Sequence, residues 1–110
     1  MTYQHQMLAA GRWKAFSFVE QMSHIGSEVE RALHWRAKQH ASYAVQAAER
    51  ALELLDLTLD ATNHFPKLKE ISRVREALVD YFFGQNQFQS TDASWKTYFS
   101  SFAYAARRST

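Results

Sequence analysis

The chain has 110 residues, enough for one domain, with 13 Lys and Arg against 11 Asp and Glu and a net charge of +2. Lacking cysteine, it has no disulfide framework, thiolate metal site or thiol nucleophile, and its near-balanced charge gives no general attraction to nucleic acid. Eight Phe, five Tyr and three Trp against three Gly and one Pro argue against extended disorder, and no apolar run approaches the roughly 18–20 residues of a membrane span.

Residues 1–16 carry little periodicity, and Gly11 interrupts any helix there, so they are expected to form a short N-terminal arm. The opening residues lack the charged-then-apolar order of a signal peptide. With no disulfides to form, the expected location is the cytoplasm.

Ser17-Phe18-Val19-Glu20 has the spacing of a capping box and opens a helix predicted over about residues 17–39. Phe18, Met22, Ile25, Val29, Ala32 and Leu33 form its inner face. Gly26 lies on that face and permits a close neighbour. His34, Arg36 and Lys38 place cations where the helix dipole is negative. A phase change in the apolar pattern, rather than any Gly or Pro, sets the break near Lys38–Ser42.

Residues 41–63 are the longest uninterrupted helical pattern. Ala44, Ala48, Ala51, Leu55 and Thr62 fall on one line, flanked by Ala47, Thr58 and Leu59, giving a narrow seam suited to a tight neighbour. Glu49, Glu53, Asp56 and Asp60 fall opposite and are predicted to face solvent or a partner. Asn63-His64-Phe65-Pro66 is a turn, since proline cannot continue a helix but fits the first turn of the next. A third helix over about residues 67–83 turns Leu68, Ile71, Val74, Leu78 and Phe82 inward and Lys69, Arg73, Glu76 and Asp80 outward. Gly84 ends it. After a polar loop, Ser90-Thr91-Asp92 starts a fourth helix over about residues 92–107 with Trp95, Tyr98, Phe99, Phe102 and Ala106 on one face. Residues 1–110 thus read as a single all-α domain, an antiparallel (up-down) four-helix bundle with a short N-terminal arm.

The chemistry-bearing patterns are sparse. Glu53-Leu54-Leu55-Asp56 is similar to the E-x-x-D element of all-α nucleotide pyrophosphatases of the MazG type, which implies a bundle enzyme that holds a hard cation. That family pairs it with an upstream E-x-x-E, whereas Glu28 and Glu30 here are only two residues apart. Ala32-x-x-Trp35, with Ala44, Ala48, Ala51 and Leu52, resembles one tetratricopeptide helix pair, but no second copy follows. His5, His24, His34, His40 and His64 include no H-E-x-x-H pair, and no nucleophile elbow or phosphate-binding loop occurs.

Trp35, Phe83 and Tyr104 fall off the apolar faces of their helices, as interface residues do. Together with Glu49, Glu53, Asp56 and Asp60 they are the expected contact residues. The resulting expectation is a non-catalytic accessory or scaffold protein without metal or cofactor. It would act through protein partners and associate with itself as a dimer or larger. The second reading is a nucleic-acid-binding accessory protein, using Arg12, Lys14, Lys67, Lys69, Arg73, Arg75, Lys96, Arg107 and Arg108 with Trp13, Trp95 and Tyr104 interleaved. The third is a degenerate pyrophosphatase-like protein.

Overall fold

The computed structural model describes residues 6–108, with residues 6–10 as backbone alone. The described elements are five helices, α1 Gln6–Ala15, α2 Phe18–Ala37, α3 Ala41–Ala61, α4 Phe65–Phe83 and α5 Asp92–Arg108. The all-α class expected from the sequence is therefore the class that forms, and the helix boundaries lie within one or two residues of those predicted. No helix among the described residues is long and apolar enough to cross a membrane.

The expected arm is the main correction. Residues 6–15 form α1, and Gly11 does not interrupt it, because a helical glycine merely costs about 1 kcal/mol relative to alanine. The remaining arm residues, 1–5 with His5 among them, lie outside the described residues. Arg12 and Lys14 in the last turn suit the helix dipole. The element is held by one side chain: Trp13 is only 6% exposed. Its indole Nε1–H donates to Thr58 Oγ1 at 2.8 Å, and Thr58 Oγ1 donates in turn to the Leu54 carbonyl at 2.9 Å. Buried Gln21 donates from Nε2 to the Trp13 carbonyl at 2.8 Å, tying the same residue to α2.

The capping box at the start of α2 is complete. The Ser17 amide donates to Glu20 Oε1 at 2.8 Å, and the Glu20 amide donates to Ser17 Oγ at 3.1 Å. The bond from the Ser17 backbone holds the Glu20 carboxyl below its ordinary range. At its other end α2 stops on Gln39, with φ of 64°. The Gln39 amide donates to the Arg36 carbonyl and the His40 amide to the Trp35 carbonyl. This is a Schellman ending built on glutamine rather than glycine.

Helix α3 is the centre of the molecule, with α2, α4 and α1 all packed on it. Its seam is buried as expected, with Ala44, Ala47, Ala48, Ala51, Leu55 and Thr58 inside and Ala32 of α2 packed against the alanines. Its acidic back is not the solvent stripe predicted. Glu53 is buried, at 7% exposure, and Asp56 pairs with Arg75 of α4 at 2.7 Å. A helix with neighbours on three sides has little back to expose.

Helix α2 packs on α5 through Gly26. A Cβ placed there would lie 2.7 Å from Phe99 Cβ, so glycine permits the approach the sequence predicted. The core joins Met22, Ile25, Val29 and Leu33 of α2 to Leu55 of α3, Ile71 and Leu78 of α4, and Trp95 and Phe99 of α5. At one end, Arg36 of α2 meets Tyr81 of α4 and Asp92 of α5; at the other, Phe18 of α2 meets Lys67 of α4 and Phe102 of α5.

Candidate functional site

Helices α4 and α5 approach less closely than the other bundle neighbours, and large side chains bridge the gap. The Tyr98 hydroxyl donates to Glu70 Oε2 at 2.7 Å, and the rings of Tyr81 and Trp95 lie 6.4 Å apart. A cleft results on the outer side of that gap.

The polar residues between the helices fix its upper end. Asp80, expected to face water, instead accepts from the amides of Gln87 at 2.8 Å and Phe88 at 3.0 Å. Asn86 and Ser90 exchange two bonds of 2.9 Å. Thr91 and Ser94 cap the start of α5 reciprocally, each amide donating to the other's hydroxyl at 2.9 Å. Asp92 accepts from the Tyr81 hydroxyl and from Arg36 Nη2 at 3.0 Å, while the Arg36 guanidinium lies 4.4 Å over the Tyr81 ring. Phe88 is thereby held beside both helices although it lies in a loop.

The cleft encloses about 310 Å³ and is lined by Arg73, Val74, Ala77, Phe88, Ser90, Ser94, Trp95 and Tyr98. A second hollow of about 350 Å³ shares Arg73, Val74 and Tyr98 and extends along α4 past Lys69 and Glu70 to Pro66. One half is therefore aromatic and the other carries two cations. Neither Arg73 nor Lys69 has an acidic partner among the described residues. The Trp95 indole N–H, buried in the cleft wall, has no acceptor among them either. A buried donor without an acceptor costs about 1–3 kcal/mol, so its position is informative. Burial, then the bond to Glu70, pushes the Tyr98 hydroxyl far above the ordinary tyrosine range; burial and then Asp92 shift Tyr81 in the same direction.

The contact residues expected from the sequence do not form one patch. Trp35 is half-buried in a ring cluster with His34 at 5.2 Å, His40 at 5.3 Å and Tyr43 at 5.0 Å. Phe83 is exposed at the end of α4. Tyr104, also exposed, lies under Arg108 on α5, twelve residues or roughly 18 Å of helix from Asp92, the residue that meets the end of α2. Glu49 is half-buried, Glu53 buried, Asp56 paired with Arg75, and Asp60 exposed. Glu28, upstream of the E-x-x-D element, accepts from Arg50 at 2.9 Å and Arg31 at 2.6 Å. Among the described residues, no group of three or more His, Asp or Glu is placed to hold a metal ion.

Sequence reasoning placed Trp95 in the core but missed the cleft. The available signal was Phe88, an aromatic alone in a polar loop between two aromatic helices.

The fold and cleft define an all-α helical bundle with a surface hollow that is part aromatic and part cationic. The chain matches no protein-family model, no curated protein and no solved structure.

Proposed function

We propose that this protein is a non-catalytic, cytoplasmic accessory protein that acts through protein contacts and associates with itself through the surface around Trp35. The observation that carries this reading is the ring cluster at the α2–α3 connection. Four rings, Trp35, Tyr43, His34 and His40, lie against one another outside the core, with Tyr43 51% exposed. Large rings left in water forgo burial that a partner supplies, and interface centres are rich in Trp and Tyr. A two-fold contact uses the same patch twice, so a second copy buries two such clusters at once.

The carboxylates support a non-catalytic role. Glu28 and Asp56, which a pyrophosphatase-like site would use, are engaged by arginines. Nucleic acid is less well supported. Trp13 and Trp95 are buried, so they offer no stacking face, and Arg75 is paired with Asp56.

Sedimentation equilibrium across the micromolar range tests the proposal. The wild type is expected to show a dimer or larger species, weakened at least tenfold by Trp35→Ala and by Tyr43→Ala, with Tyr104→Ala close to wild type. A monomer mass throughout, or a dimer unchanged by both substitutions at the cluster, overturns it.

A further inference from the structure

We propose that the cleft between α4 and α5 is a binding site for a small aromatic carboxylic acid. This is independent of self-association, because the cleft and the Trp35 cluster share no residue.

Three observations converge on that ligand. The first is shape. The cleft encloses about 310 Å³, at the lower end of the range for small-molecule sites. A partner helix, roughly 10–12 Å across with its side chains, does not fit such a hollow, whereas one or two fused rings do. The second is the arrangement of surfaces. Phe88, Trp95 and Ala77 line one half, and Phe88, 56% exposed, stands as a ring wall held in place by Asp80. Toward the other half lie Arg73 and Lys69, one helical turn apart on α4 and both exposed. The one carboxylate there, Glu70, already accepts from Tyr98. An anion placed beside Arg73 meets two cations and one carboxylate, a net positive surrounding, and Arg presents a planar fork that matches a carboxylate. The third is the Trp95 indole N–H, a buried donor in the wall of the cleft without an acceptor among the described residues. A ligand oxygen that reaches the indole edge supplies the acceptor that donor lacks.

The combination selects within small molecules. A neutral aromatic uses the rings but not Arg73, and an inorganic anion uses Arg73 but not the rings. A ring joined by a short arm to a carboxylate uses both.

The test is titration of the full chain with naphthalene-1-acetate, followed in ¹H–¹⁵N spectra, with naphthalene-1-ethanol as the uncharged comparison. The Trp95 indole cross-peak is assigned by its loss in Trp95→Phe. Naphthalene-1-acetate is expected to move the Trp95 indole and Phe88 amide signals, and the alcohol to bind roughly tenfold more weakly or worse. Arg73→Ala, an exposed change whose melt should match the wild type, is expected to remove most of the acid's advantage over the alcohol, Lys69 keeping the remainder. Trp35→Ala should leave the titration unchanged. No movement of these signals at millimolar acid overturns the proposal. So does equal affinity for acid and alcohol, binding unaffected by Arg73→Ala, or shifts centred on Trp35 and Tyr43.

Discussion

Tyr98 donates its hydroxyl to Glu70 across the α4–α5 gap, and burial there, aided by that bond, favours its neutral form. The consequence for stability has a definite sign. A group whose folded pKa is raised contributes stability that is fully present below its unfolded pKa, near 10 for tyrosine. That contribution is lost as pH rises through the window above 10, where the unfolded chain ionises and the folded one does not. Thermal melts between pH 8 and 11 should therefore show the melting temperature falling above about pH 10. The fall should be shallower in Tyr98→Phe, though not abolished, because Tyr81 is raised as well. An equally steep fall in the variant would assign the alkaline loss elsewhere. Other single residues show how far a sequence can be read at this scale. Ser17 and Glu20 were legible because a capping box is local, three residues apart. Gln39 was not, since glutamine carries no signal for the left-handed conformation that it adopts here. Asp80 was given to solvent because its partners, the amides of Gln87 and Phe88, belong to a loop whose path the helix pattern does not set.

At the level of elements, two glycines in helices have opposite meanings, and the difference is one of surroundings. Around Gly11 of α1 a Cβ would meet nothing within 4 Å, whereas at Gly26 of α2 it would press on the Phe99 Cβ and ring. Gly11→Ala is expected to stabilise by about 0.4–1 kcal/mol, chiefly by restricting the unfolded chain. Gly26→Ala gains the same restriction but forces α5 away, so a net cost of about 1–3 kcal/mol is expected. Urea unfolding of the two variants checks both signs together. Stabilisation by Gly26→Ala would mean that α2 and α5 shift apart freely. The inner faces of α2, α4 and α5 were legible because each follows from the spacing of apolar side chains along its own segment. The back of α3 was not. Its acidic line has a clean helical period, and period alone reports which residues share a face, not how many neighbours cover the helix. Burial of Glu53 and the pairing of Asp56 with Arg75 arise because α1 and α4 also pack on α3.

The molecule as a whole depends on a segment that its own sequence undervalues. Helix α1 has a weakly patterned sequence with an internal glycine, so nothing local marks it as structural, yet it places Trp13 in the core against α3 and α2. The contacts that settle this are distant: Trp13 and Thr58 are 45 residues apart. Two features favour docking over fraying. The indole buries a large apolar surface, and its N–H has an acceptor in Thr58, whose own hydroxyl is used by the Leu54 carbonyl, so no polar group is stranded. Removing the ring would leave a cavity bordered by α3 and α2 and release α1 from both. Truncating a buried Trp typically costs about 3–5 kcal/mol, against about 5–15 kcal/mol of total stability for a domain. Trp13→Ala is therefore expected to lower the melting temperature on the order of 20 °C. Thr58→Val, which keeps the shape but removes the acceptor, should cost about 1–3 kcal/mol, as expected for a buried indole donor left unpaired. If Trp13→Ala instead melted within a degree or two of the wild type, α1 would be an ornament on a four-helix bundle, as the sequence alone suggested. A loss larger than that of Thr58→Val would make it the fifth member of the core.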